Sequence, residues 1–140
     1  MQIELLTPER VGVLWPDIES MVYAACMSNE IGSTDLTPEG IRRDAESGMS
    51  AMFVGYDNGK PEIAMVIQFT EQGGHKGADI VAIGGSKLLR YKVAYWKVID
   101  EWLKANGVKF VDAYASPRLA KIYASRFGFG RSCVYLRKML

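Results

Sequence analysis

The chain has 140 residues, enough for one domain that buries roughly two thirds of its unfolded surface with no need of a disulfide or metal staple. Hydrophobic residues make up 49% and charged residues 24%, which excludes a disordered chain, and no apolar run approaches the ~20 residues of a membrane span. The net charge of +1 conceals a division: residues 1–86 carry 5 basic and 13 acidic side chains, whereas residues 87–140 carry 12 basic and 3 acidic.

Two readings of that division are open. Either the halves attract one another within one fold, or the second half meets an anion such as a phosphorylated cofactor, a nucleic acid or an acidic protein surface. The opening MQIELLTPER has neither the basic start nor the apolar run of a signal peptide, so a cytoplasmic setting is expected. Cys26 and Cys133 lie far apart and outside any C-x-x-C spacing, and with His75 the only histidine a closed zinc site lacks its usual ligands.

In chain order, QIELL at 2–6 alternates as a short strand, and Thr7-Pro8 then offers a helix cap followed by proline at the first helical position. Pro16 predicts a kink or restart in that helix, whose apolar face is Ile18, Met21, Val22 and Ala25. Residues 28–36 read as loop. Thr37-Pro38 repeats the start signal and Gly48 ends a short helix through Ile41 and Ala45.

Strands follow at about 50–56, 61–71 and 78–84. Asn58-Gly59 between the first two predicts a type I′ hairpin, because both residues tolerate the positive φ that turn requires. EQGGHKGA connects the second strand to the third. From Ser86 to Asn106 the apolar period changes to that of a helix, with Leu88, Tyr91, Tyr95, Val98, Ile99, Trp102 and Leu103 on one side. VKFVDAYAS is then a strand, PRLAKIYASRF a short helix and RSCVYLRKML a closing strand. The order β-α-α-β-β-β-α-β-α-β predicts an α+β fold over residues 1–140, a mixed, mostly antiparallel sheet of about six strands with about four helices.

That order, together with GVKFVDAYAS and the ending P-R-L-A-K-I-Y-A-S-R-F-G-F, resembles the GNAT superfamily of acyl-CoA N-acyltransferases. The motif match is confined to residues 107–129 and rests on Ala120, Tyr123, Gly128 and Phe129. The resemblance implies acetyl-CoA or another acyl-CoA as cofactor. Its pyrophosphate would lie on amides at the start of the long helix and its pantetheine in a splay between the fourth and fifth strands. A tyrosine would protonate the leaving thiolate.

Against that pattern, the segment IGGSKLLRYK is a departure. The positions the family fills with small residues fall on Arg90 and Lys92, where a long side chain occupies space a phosphate would need. Compensation would come from Lys87, Arg90 and Lys92 pairing with phosphate oxygens and from a short amide nest at Gly84-Gly85-Ser86. Ile83 and Ser116, at the ends of the two strands, complete the candidate cofactor set. The alternative reading is structural: the glycines end a strand and Ser86 caps a helix. The family's acid position falls on Ala124, which has no proton to give, so Tyr123 is the candidate acid in an offset register or else a core residue. Glu71, Asp79 and His75, around the turn before the fourth strand, are the candidate bases.

No Walker loop and no G-x-S-x-G elbow occurs. Tyr91, Tyr95 and Trp96 among cations leave nucleic-acid stacking open, although Tyr95 recurs with the core stripe. Two functions remain. One is a GNAT-like N-acyltransferase for an amine acceptor. The other is a degenerate GNAT-fold interaction or assembly protein, similar in size and erosion to small GNAT-like proteins of tailed phages, found in host cytoplasm or virion and meeting an acidic surface, an assembly partner or its own copy.

Overall fold

A computed structural model describes residues 1–26 and 36–132, together with 134, 136, 138 and 140. Thr7 opens the first helix as the sequence predicts, its Oγ1 accepting from the Arg10 amide at 3.3 Å. This helix, α1 (Pro8–Cys26), follows strand β1 (Gln2–Leu5) and is followed by α2 (Pro38–Glu46). Then come β2 (Ala51–Asp57), β3 (Lys60–Gln72), β4 (His75–Gly84), α3 (Leu88–Ala105), β5 (Phe110–Ala113) and α4 (Pro117–Arg126). The architecture is α+β, with four helices and a five-stranded mixed sheet among the described residues.

Pro16 does not divide α1, which runs through it as one helix. Proline removes the donor to the Gly12 carbonyl, yet Val11, Leu14, Trp15, Ile18 and Val22 all bury on one face at helical spacing. Each such side chain contributes about 1.5–3 kcal/mol, which outweighs the lost bond.

The strands lie in the order β1-β2-β3-β4-β5, antiparallel from β1 to β4 and parallel between β4 and β5. The β2–β3 hairpin turns through Asn58 (φ 51°) and Gly59 (φ 77°), the geometry expected of Asn-Gly. A second tight turn, Gly73 (φ 57°) and Gly74 (φ 79°), joins β3 to β4. Two glycines there let both strands zip to the tip, so the connecting loop read from the sequence shrinks to two residues.

Helices α1 and α2 cover one face of the sheet over Met52, Val54, Ala64, Val66 and Ala82. Helices α3 and α4 cover the other over Phe53, Ile63, Met65, Ile67, Ala78 and Ile80. The two cores alternate along each strand, as a period of two requires. Tyr95 anchors α3, donating its hydroxyl to the Phe53 carbonyl at 3.0 Å, and Gly55 leaves room for its ring.

The closing sixth strand is a correction. Of residues 131–140, the described ones belong to no strand, and Val134 and Leu136 are exposed; 133, 135, 137 and 139 lie outside the described residues, as does most of the 28–36 loop. The fifth strand is also shorter than its sequence, because Tyr114 to Ser116 leave β4 before α4 begins. No helix among the described residues is long and apolar enough to cross a membrane.

Candidate active site

The parallel pairing matches Gly77 to Phe110, Ala78 to Val111, Asp79 to Asp112 and Ile80 to Ala113, and there β5 ends. β4 continues through Val81, Ala82, Ile83 and Gly84, about 13 Å of strand without a neighbour on that side among the described residues. The parting coincides with a bulge. Val66 of β3 pairs with Ala82 and Ile67 with Ile80, so Val81 is the extra residue that bends β4 away.

Two carboxylates flank the opening. Val111 and Ala113 pack in the α3–α4 core, as do Ala78 and Ile80, so Asp112 and Asp79 between them turn to the α1–α2 side as register partners. Burial, and then the charge of Asp112, hold the Asp79 carboxyl above the usual carboxylate range. Across on β3, Gln68 pairs with Asp79 in the register and donates to Ser50 Oγ at 2.9 Å and, more weakly, to Asp44 at 3.4 Å. Gln68 and Val81, with Arg43, Asp44 and Ser50, line a cavity of about 230 Å³ beneath α2.

At the far end of β4 the chain enters α3 through Gly85, Ser86 and Lys87. A Cβ on Gly84 would stand 2.4 Å from the Met21 carbonyl oxygen of α1, and one on Gly85 would meet the backbone of Glu62. Both glycines are therefore demanded by close backbone packing. Ser86 does not cap α3: its hydroxyl donates to Glu62 Oε2 at 2.9 Å, and the cap position is Lys87, with no side-chain bond to the helix.

The head of α3 keeps donors to spare. The Arg90 and Tyr91 amides both reach back to the Lys87 carbonyl at 3.1 Å, whereas the Leu88 and Leu89 amides precede the first helical acceptor. No acidic residue occupies the first turn. Arg90 stacks over Tyr91, 5.2 Å from the ring centre. First-turn amides beside Lys87, Arg90 and Lys92 are a donor set that fits a phosphate-bearing group, held by side chains and helix end rather than by a glycine loop.

The remaining candidates separate from this seam. Glu71 pairs with Lys76, and His75 with Gln72, at the exposed tip of the β3–β4 hairpin. Lys76 is eight residues of strand, about 26 Å, from Gly84, so Glu71 and His75 sit far from the head of α3. Tyr123 is 4% exposed, its ring 4.9 Å from Phe129 and 5.8 Å from Phe127, and burial drives its phenol well above the ordinary tyrosine range. Ser116 caps α4, accepting from the Leu119 amide at 3.3 Å, and Ile83 lies half-buried on β4 beyond the bulge.

Among the described ion pairs, Arg10–Glu4, Arg42–Glu46, Lys60–Glu62 and Lys104–Asp100, none joins residues 1–86 to 87–140. Among the described residues, then, no ion pair closes the charge division between the halves. Three residues that the sequence did not single out stand at the site: Asp112, Glu62 and the bulge residue Val81. Alternation marks Asp112 as turned to the side opposite Val111, but only the β4–β5 register brings it to Asp79.

No family model matches the chain, and no curated protein matches it. Solved structures do. An aminoglycoside acetyltransferase from an uncultured soil metagenomic sample, in complex with sisomicin, superposes with a TM-score of 0.71 at 14% identity, covering 99% of this chain and 95% of that one. A ribosomal-protein-alanine N-acetyltransferase from Brucella melitensis biovar Abortus 2308 gives 0.69 at 12% identity over 99% and 100% of the two chains. A predicted acetyltransferase with acetyl-CoA from Clostridium acetobutylicum gives 0.69 at 10% identity over 99% and 95%. These are GNAT-fold acetyltransferases, and the likeness establishes that this chain shares their fold.

Proposed function

We propose that the chain is a single-domain N-acyltransferase that moves an acyl group from acyl-CoA to an amine. The observation that carries this reading is the parting of β4 and β5 at the Val81 bulge, beside the Asp79–Asp112 pair, in a fold shared with acetyltransferases. The diphosphate end of acetyl-CoA, or of another acyl-CoA, would lie at the head of α3. There the Leu88 and Leu89 amides and the charges of Lys87, Arg90 and Lys92 oppose its negative charge.

The open stretch Val81–Gly84 would accept the thioester arm by hydrogen bonding to a backbone that has no strand partner on that side among the described residues. An acceptor amine would approach from the α1–α2 side, where Asp79 and Asp112 stand. An ammonium must lose a proton before its nitrogen can attack, and a carboxylate whose basicity is raised by burial and a like charge is suited to take it. The third requirement, a proton for the departing sulfur, is not met by Ala124 and is met poorly by a phenol packed as Tyr123 is.

Isothermal titration of acetyl-CoA into the purified protein tests the reading, followed by acetyl transfer to a panel of primary amines. Saturable binding weakened about tenfold or more by Arg90→Glu is expected. Absence of heat and of thermal shift at millimolar acetyl-CoA would sink the reading and leave the fold as a scaffold for an interaction or assembly role.

A further inference from the structure

We infer that the acceptor is a small α-amino acid, its carboxylate held by Arg43 and its ammonium turned toward the Asp79–Asp112 pair, a substrate class that rests on the acyltransferase reading above. Its place is the cavity beneath α2. The volume of about 230 Å³ has room for roughly seven water-sized groups, the size of alanine or serine and well below that of an aminoglycoside.

The lining is polarised. At one end Asp44, Ser50 and Gln68 present oxygen. A carboxylate accepts and does not donate, so the Gln68 nitrogen faces Asp44 at 3.4 Å and Ser50 Oγ at 2.9 Å, which leaves Gln68 Oε1 as an acceptor. Asp44 belongs to no described ion pair. An ammonium suits this end, and from it the sheet leads to the seam: Val81 lines the cavity, and Gln68 is the register partner of Asp79.

The other end carries a positive charge. Arg43 lines the cavity, and its Nη2 lies 3.6 Å from where a Cβ on Gly40 would stand, so the guanidinium folds back along α2 toward the first turn. Glycine at position 40 leaves that corner open between Thr37 and Arg43. The preceding residue, Arg42, is committed to Glu46 at 2.7 Å, whereas Arg43 belongs to no described ion pair. Gly40 and Asp44 are about 6 Å apart along the helix axis. Opposite charges at that spacing match a zwitterion, and a guanidinium pairs well with a carboxylate. A diamine would instead set a like charge against Arg43.

The transfer balances in atoms and charge. The amino nitrogen bonds to the thioester carbonyl carbon, and the carbon–sulfur bond breaks with its electron pair on sulfur. Of the three ammonium protons, one stays on the amide nitrogen, one passes through the Asp79–Asp112 pair to water, and one is matched by the proton that makes the thiol. The products are an N-acyl amino acid and CoA.

Calorimetric titration of L-serine, L-serinamide and putrescine into the parent and into Arg43→Gln tests the inference. Serinamide keeps the ammonium and lacks the carboxylate. The parent should bind L-serine about tenfold tighter than serinamide, and Arg43→Gln should remove that preference while leaving serinamide within twofold. Arg43 is exposed, so its replacement leaves the core intact. In the transfer assay Arg43→Gln should raise KM for L-serine about tenfold with kcat within threefold. Asp44→Asn should weaken both ammonium ligands. Equal binding of L-serine and serinamide by the parent, or putrescine as the tightest ligand, overturns the amino-acid assignment. So does an enzyme that binds acetyl-CoA and acetylates other amines but not amino acids, an outcome that leaves the acyltransferase reading standing. Arg43-dependent binding of L-serine in a protein that takes up no acetyl-CoA overturns the acyltransferase reading, and with it the acceptor role, while the amino-acid pocket stands.

Discussion

Asp79 and Asp112 are register partners in the parallel pair β4–β5, two carboxylates turned to the same side of the sheet where the strands are about to part. Neither belongs to a described ion pair. Such a juxtaposition costs stability at neutral pH, and in the proposed reaction the pair would be the proton acceptor.

The first prediction follows from the sign of the Asp79 shift. Its carboxyl binds a proton more tightly in the fold than in the unfolded chain, so the fold is penalised as pH rises from the ordinary carboxylate range through the raised value. Asp79→Asn should therefore raise the urea midpoint at pH 7 and lose that advantage near pH 3, while lowering kcat by about 10²-fold. Urea titrations at the two pH values and a transfer assay read both effects. A variant that is less stable at pH 7 would contradict the assignment of the strain to this pair.

Removing the neighbour instead of the base separates the two causes. Asp112→Asn deletes the like charge and leaves the burial of Asp79, the larger contribution, in place. The acid limb of the pH–rate profile should move to lower pH without reaching the ordinary carboxylate range. An unmoved limb would mean that Asp79 does not titrate in the reaction.

Gly84 offers a test of why the segment IGGSK is glycine-rich. A Cβ there would stand 2.4 Å from the Met21 carbonyl oxygen, a backbone atom that cannot swing aside. Gly84→Ala should cost about 1–3 kcal/mol in denaturant unfolding, and should do so in buffer free of any nucleotide. A cost that appears only when acetyl-CoA is present would instead assign this glycine to the ligand.

Element types were legible in the sequence because their signals are local. Asn58-Gly59 fixes its turn by φ alone, Thr37 before Pro38 caps α2 with a 3.0 Å bond, and the apolar spacing of Tyr95, Ile99 and Leu103 defines the face of α3. The site was less legible because it is assembled from distant segments. Val81 becomes a bulge only through the mismatch of β3 and β4, and Asp112 reaches Asp79 only through their register. Ser86 has the residue type of a helix cap, yet Glu62, 24 residues away, takes its hydroxyl; no local pattern encodes that competition. Tyr123 turns into the core with Phe127 and Phe129, whereas Ala124, one helical step of about 100° further on, is exposed.

Glu62 supplies the last prediction. Its carboxylate accepts the Ser86 hydroxyl at 2.9 Å, next to the cap residue of α3, and its other oxygen makes a long, 3.9 Å ion pair with the exposed Lys60. A fixed negative charge thus stands beside the amides and cations that would receive a diphosphate, and it opposes the approach of one. Glu62→Gln keeps a hydrogen-bond acceptor for Ser86 and removes only the charge. The variant should bind CoA about threefold to tenfold tighter at low ionic strength, with the gain shrinking toward 0.5 M salt as screening shortens the reach of the removed charge. Calorimetric titrations at two salt concentrations measure it. Equal affinity for parent and variant would place the anion away from the head of α3, and would move the search for its site to the other cations of the second half.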